Sequence, residues 1–484
     1  MADAREPWLS HGESATAPTD DAGAVLRAWR ERNRQTQAAV AALLKTSQQH
    51  LSQIEKGLRP LSIDQRRTIA AELGISPEEL GLSGGQTRHV VSSDHASSEI
   101  AASRLTWRAQ RRWLNSHRSE LARLAVDLYP AEQRIPRAPL LARPDWLPPS
   151  PIELRSLCLS LDESEHGTVV DGSEPESARV RPLRVADSRF EHYTSAIKYL
   201  DPPQLFESRP SYRLLGGSPT AGHMAFGLAA YFDKLDISEA VGHEIAAACM
   251  DDPAVLARPG RGLRPLLPFR ELIGDPFDPL RRAIVPAITT LTIRLRRYPA
   301  EPSFLLHWRD PSRVATAGGV YDVVPAGEFQ PSSVALWDRR NDFDLWRNIV
   351  REYSEELLGE PEHDGTRTRP IDYRNWPLYE FLDRSLADGA VTAHVLGLAL
   401  DALTLAATIL TVVVLDDDAF RTAFRNVVRY NDEGEIVGVG EDAAAGVPFT
   451  AASVDRMLAS EPMASPGAGC LALAWQHRAV LLGL

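Results

Sequence analysis

The stretch Thr36 to Gly57, TQAAVAALLKTSQQHLSQIEKG, constrains this chain more than any other, because its spacing encodes two short helices that must meet at a fixed angle. Thr36 stands where a side-chain oxygen caps a first helix, and Val40, Ala41 and Leu44 supply its buried stripe. Ala41 is small where a second helix has to cross closely. Ser47 caps that second helix, Leu51 and Ile54 point inward, and Gly57 stops it. Gln48, Gln49, His50, Ser52 and Gln53 are left on or beside the outward face. Flanking segments, Val25 to Arg34, Ile63 to Leu73 and Pro77 to Leu80 after the Gly74 break, complete a small helical bundle.

The pieces TQxxVA, the serine cap, LSxIEKG and LGISPEEL fall in register over about Ala24 to Leu82, and this run resembles the Cro/C1-type (XRE) helix-turn-helix family. The resemblance implies double-stranded DNA as partner, read in the major groove by Gln48, Gln49 and Gln53, with His50, Ser47 and Ser52 beside them. Glutamine presents a donor and an acceptor together to adenine, so an A-containing half-site is expected. Gln37 and Arg59 are placed to hold phosphate. Modules of this size gain affinity by pairing, so a homodimer is expected.

Composition bounds the rest. The 484 residues exceed one ordinary domain. The net charge of −12 is unevenly spread: residues 21–137 carry a small excess of Arg and Lys, and the acidic surplus lies after them. Cys158, Cys249 and Cys470 show no paired spacing, which points to a reducing cytoplasm. Nearly all basic residues are Arg, as in a GC-rich bacterial genome. Residues 1–20 are polar, without an apolar core, and read as a disordered tail. The apolar run Val391 to Leu415 is broken by His394 and Asp401 and rich in β-branched residues, so it reads as two buried strands and not as a membrane span.

The expected order is therefore a helix-turn-helix domain over 21–82, a linker over 83–150 carrying an amphipathic helix at 105–129, and an α+β domain over 151–484. In the 105–129 helix, Trp107, Leu114, Leu121, Leu124 and Leu128 share one face, open to docking on the following domain or to dimerisation. Its arginines, Arg108, Arg111, Arg112, Arg118 and Arg123, are open to phosphate contact. Pro136 to Pro151 reads as an extended connection, Asp162 to Glu176 as an exposed loop, Met224 to Phe232 as helix, and Ser465 to Gly469 as a turn. Strands are expected at Ala287 to Leu295, Ser303 to Trp308 and Gly319 to Val324. His307 and Asp322 sit in the last two of them. His192, His223 and His243 are too far apart in sequence to argue a local metal site.

A second constellation lies on the expected helix Leu345 to Leu358. Glu352, Glu355 and Glu356 fall at i, i+3 and i+4, so their carboxylates share a face and repel unless a cation offsets them. Oxygen-only ligands suit Mg²⁺ or Mn²⁺. Arg351 stands where it could orient one of them. REYSEE, with the preceding LLHW and GGVYDVVPAG, resembles the second half of the Nudix signature, and the resemblance spans about 287–418. It implies a mixed sheet with helices, a nucleotide-like ligand, and Glu352, Glu355 and Glu356 as metal ligands. The first half of the signature is not there, since its Gly and Glu positions hold Trp337 and Phe343. Two classes of function are open: a DNA-binding transcription regulator whose Nudix-like region senses a ligand or serves assembly, and a metal-dependent hydrolase of nucleoside diphosphate compounds carrying an accessory DNA-binding domain. The complete first motif and the halved second one favour the regulator.

Overall fold

The computed structural model describes residues 22–44, 46–56, 61, 63–75, 79–80, 90–203, 206–254, 262–296, 301–309, 319–362, 368–428, 434–437 and 446–484. The expected tail at 1–20, Gly57 and Arg59 lie outside them. The chain divides into two compact units, residues 1–94 and 95–484. From His95 onward, therefore, the stretch read as a linker belongs to the second unit.

In the first unit, helices α1 (Ala22–Arg32), α2 (Gln37–Leu43), α3 (Gln48–Glu55) and α4 (Ile63–Leu73) follow one another. Leu26, Val40, Ala41, Leu51, Ile54, Ile69, Leu73 and Leu80 are buried in a core of their own. Thr36 Oγ1 accepts the Ala39 N–H at 3.1 Å and Ser47 Oγ the His50 N–H at 3.2 Å, so both expected caps satisfy otherwise orphaned helix donors. The α1 and α3 helices cross closely at Gly23, where a Cβ would stand 2.2 Å from the Ile54 carbonyl oxygen.

The second unit opens within α5 (Val90–Ser116), followed after His117 by α6 (Arg118–Val126). The single helix expected at 105–129 is thus longer at its start and broken near its middle. His117 leaves helical geometry, and its Nδ1 lies 2.9 Å from the Trp113 carbonyl while the two rings stack at 4.4 Å. Trp107, Leu114, Leu121 and Leu128 are buried in the second unit's own core. Docking accounts for that stripe, and it is not free to form a dimer contact.

The stripe lies in the same core as α8 (Tyr231–Asp251), which follows α7 (Tyr193–Leu200). The α8 helix buries Lys234, Asp236, Glu239, His243 and Glu244, and each is matched. Arg111 and Arg118 reach Glu239 at 2.8 and 2.9 Å. Burial pushes the Glu239 carboxyl up, but the two guanidinium groups outweigh it and hold the group at about 2. His243 takes Tyr193 Oη at 2.6 Å and Gln110 Oε1 at 2.9 Å, and burial pulls it down to about 3, so it is a neutral packed imidazole. Glu244 accepts the Phe269 and Arg270 backbone N–H groups at 2.7 and 3.1 Å. Arg108 donates to the Leu200 carbonyl at 2.9 Å. Arg108, Arg111 and Arg118 thus tie helices together inside this unit, which leaves Arg112 and Arg123 exposed.

The main sheet is mixed and runs in the order Leu140–Leu141, Val391–Asp401, Ala407–Asp416, Pro286–Leu295, Pro302–Phe304, Val447–Pro448. Ala326–Glu328 also pairs with Pro286–Leu295, and Ile152–Glu153 with Val391–Asp401. The apolar run at 391–415 forms two adjacent antiparallel strands, as its β-branched residues require. Ala407–Asp416 then pairs in parallel with Pro286–Leu295. Polar side chains buried here bond one another: Thr289 to Thr408 at 3.0 Å and Thr290 to Thr411 at 2.7 Å. The Pro-rich connection is drawn into this layer, with Trp146 buried. Among the described residues, no helix is long and apolar enough to cross a membrane.

Three local expectations are corrected. Met224 to Phe232 is strand over His223–Ala230, because Met224 and Phe226 are both fully buried at a spacing of two and the segment pairs with Pro210–Ser218. Ser303 to Trp308 divides at Leu305 into Pro302–Phe304, in the main sheet, and Leu306–Arg309, which pairs with Val320–Val323 and Gly434–Val437. Ser465 to Gly469 opens the helix Ser465–Gln476; Pro466 suits a first turn, where no N–H is needed. A Cβ at Gly467 would stand 2.3 Å from Asp322 Oδ1 and one at Gly469 2.3 Å from Leu140 Cδ1. The glycines therefore serve close helix-to-sheet packing.

Gly23→Ala should force α1 away from α3, since the added methyl meets backbone and not a flexible side chain. The expected cost is about 1–3 kcal/mol. Hydrogen exchange on the full chain should show lost protection over residues 22–56 with residues 95–484 unchanged; unchanged protection over 22–56 would disprove the close crossing.

Candidate nucleic-acid interface

The outward face of α3 is built by two opposing demands on eight residues. Leu51 and Ile54 are buried, which fixes the rotation of the helix. Gln48 and Gln49 are consequently exposed, and His50, Ser52 and Gln53 half-buried, with Ser47 exposed at the cap. Residues 48, 49, 52, 53 and 56 recur at one-turn spacing, so the glutamines, Ser52 and the exposed Lys56 form a continuous polar surface. Arg27, Arg32 and Arg34 are exposed on and after α1.

Glu55, the last residue of α3, was not singled out by the sequence reading. Its side chain is only 3% exposed and takes a two-pronged bond from Arg30, Nε at 2.6 Å and Nη2 at 2.9 Å. Gln37, the first residue of α2, donates its side-chain amide to Glu55 Oε2 at 2.9 Å. Residues from α1, α2 and α3 thus converge on one carboxylate. Burial works to raise its pKa, but the bonds from Arg30 and Gln37 prevail and hold it below the ordinary carboxylate value. Gln37 is therefore drawn inward to position α3, and one of its amide hydrogens is already used. Only the long separation of Arg30, Gln37 and Glu55 in sequence hid this cluster.

The acidic helix is arranged differently from its sequence pattern. The α-helix Leu345–Glu352 passes into a π-helical turn, Tyr353–Leu357. The shared face expected of Glu352, Glu355 and Glu356 assumes 3.6 residues per turn, and a π-helical turn has more. The buried Tyr353 anchors the turn through its hydroxyl, 2.7 Å from Thr292 Oγ1 on the central strand. Glu356 accepts the Ala326 N–H at 2.9 Å and lies 3.9 Å from His307 Nδ1. Glu352 lies against Gly327, where a Cβ would stand 2.1 Å from its carboxyl carbon. Arg351 donates to the Gln330 carbonyl at 2.7 Å and to Asn348 Oδ1 at 3.0 Å, and Asn348 Nδ2 lies 3.4 Å from Glu352. Arg351 thus supports Glu352 through Asn348. Among the described residues, no three His, Cys, Asp or Glu side chains converge closely enough to hold a metal ion. The expected Mg²⁺ or Mn²⁺ set of Glu352, Glu355 and Glu356 does not fit this geometry. His307 and Asp322 are cross-strand neighbours, both buried and both engaged.

Residues 21–82 match the helix-turn-helix domain family. The chain therefore carries an N-terminal helix-turn-helix DNA-binding domain, and the polar face of α3 lies within it. No curated protein matches the chain. A second region of mixed sheets and helices follows the helix-turn-helix domain, so the protein is multidomain.

Because the Glu55 pKa is depressed on folding, its contribution is complete above the ordinary carboxylate range and is lost as pH falls through the folded value. Glu55→Gln should cost the helix-turn-helix domain about 1–3 kcal/mol at neutral pH. It should also remove that acid-dependent part. Exchange protection over residues 22–56, followed from neutral to acid pH in both proteins, checks this; parallel pH profiles would contradict it.

Proposed function

We propose that the protein is a sequence-specific DNA-binding transcription regulator whose C-terminal α+β region serves as a ligand-sensing or assembly domain. The observation that carries the reading is the division of α3 into a buried Leu51 and Ile54 edge and an exposed Gln48, Gln49, Ser52 and Lys56 edge, held by the Arg30, Gln37 and Glu55 cluster. In a helix-turn-helix domain such a helix presents its first residues to base edges in the major groove. Gln48, Gln49 and Gln53 are the proposed readers, with His50, Ser47 and Ser52 beside them and Arg59 toward phosphate, while Gln37 acts by positioning α3 through Glu55. We place the protein in a bacterial cytoplasm, a reading supported by three cysteines that form no disulfide. We read the region 287–418 as Nudix-like in fold, supported by its mixed sheet and by the glutamate-bearing helix next to Ala326–Glu328. Binding as a homodimer to two half-sites about one helical turn apart fits the small size of the module.

Selection from a random duplex library should return one enriched motif containing adenine. Gln48→Ala or Gln49→Ala should relax preference at one position and cost ~1–3 kcal/mol there, whereas Arg59→Ala should weaken all duplexes alike. A library returning no enriched motif would refute the reading.

The metal-dependent hydrolase reading requires three converging carboxylates, and among the described residues no group of three converges closely enough to hold a metal ion. Nucleoside diphosphate compounds with Mg²⁺ or Mn²⁺ should therefore show no turnover above that of Glu355→Gln and Glu356→Gln. Turnover abolished by either substitution would place the protein among the enzymes.

A further inference from the structure

One side of α6 borders a cavity. While Leu121, Ala122 and Ala125 are buried, Ser119, Arg123 and Val126, at i, i+4 and i+7, line a cavity of about 360 Å³. That volume falls in the range of about 300–1,000 Å³ typical of small-molecule sites. Its apolar part comes from Ile135 and from Leu458, Met463 and Ala468 of the C-terminal helical segment. Three guanidinium groups, those of Arg123, Arg134 and Arg137, share the lining, and no carboxylate among the described residues does.

The three cations differ in what they already hold. Arg134 is fixed by Asp127 at 2.8 Å and by the Tyr129 carbonyl, and Arg137 reaches Asp455 at 2.6 Å. Arg137 does so from a left-handed backbone conformation, φ 69°, that L side chains rarely adopt and that ligand-binding segments often retain. Arg123 and Ser119, one turn apart, have no hydrogen-bonding or ionic partner among the described residues. The cavity therefore offers an uncommitted guanidinium and hydroxyl beside an apolar wall, with two further guanidinium groups around it, each paired with an aspartate. A cation finds no counter-charge among the described lining residues.

We propose that this cavity is the binding site of a small organic anion, a carboxylate with an apolar body, whose carboxylate pairs with Arg123 and Ser119 and whose body lies on Val126, Met463 and Ala468. The inference deepens the sensor half of the proposed function and rests on it. Its test contains no DNA, so its failure and a failure of the DNA reading are told apart.

Calorimetric titration and thermal melting of the full-length protein with octanoate and decanoate, against octylamine, decylamine and inorganic phosphate, decide it. The carboxylates should bind saturably and raise the melting temperature, decanoate above octanoate, while the amines and phosphate should not. Arg123→Gln, at an exposed position, should weaken decanoate about tenfold or more, the loss expected for one charge-assisted pair. Val126→Trp should abolish binding by filling the cavity; its melting curve without ligand shows that the fold is kept, and Ser119→Ala, expected to weaken binding, gives an independent check. No binding of either carboxylate, equal binding of the amines or of phosphate, or undiminished binding by Arg123→Gln would overturn the proposal.

Discussion

A carboxylate buried without partners costs several kcal/mol, and Glu55 stands at the end of the very helix whose outer face must be correctly aimed. That penalty becomes a positional constraint. Arg30 can satisfy the charge with both prongs only if α1 lies alongside the end of α3, and Gln37 can add its amide only if α2 begins next to the same point. The crossing at Gly23, which tolerates no Cβ, sets the same separation from the other side. The orientation of Gln48 and Gln49 toward solvent is thus a consequence of electrostatics and backbone contact behind the helix, not of the glutamines themselves.

The second unit follows the same rule on a larger scale. The α8 helix buries five ionisable residues, and the segments around it answer them: Arg111 and Arg118 for Glu239, Glu328 for Lys234, and backbone N–H groups for Asp236 and Glu244. Two of these carboxyls rise by burial, Asp236 to about 6 and Glu244 to about 7, while Glu239, facing two guanidinium groups, falls. Each is tolerated only in its own location. The arrangement specifies where α5, α6 and α7 dock, and it makes the long amphipathic helix an integral part of this unit.

Elements with a local cause were legible in the sequence. Thr36 and Ser47 cap their helices because a hydroxyl three residues before an orphan N–H is a local geometry, and 391–415 forms strands because β-branching and interrupting polar residues are local facts. Elements decided by distant partners were not legible. Met224 to Phe232 has the composition of a helix and becomes strand because Pro210–Ser218 pairs with it. SPGAG has the composition of a turn and opens a helix whose glycines let it pack closely on Asp322 and Leu140. For the candidate sites, the exposed residues of α3 could be read from helical periodicity, but Glu55 could not, since its partners lie 18 and 25 residues away. The spacing of the glutamates assumes an α-helix throughout, and the π-helical turn anchored by Tyr353 and Thr292 depends on a distant strand that spacing does not show.

The most direct test of a DNA-reading face on α3 is proximity. A benzophenone-bearing residue at position 49, with a control at the exposed Leu280 of the second unit, can be photoactivated on duplex DNA retained by the full-length protein. Cross-linking from position 49 and none from position 280 is the expected result. Duplex retained by the protein with no cross-link at position 49, or with cross-links at position 280 alone, would contradict it.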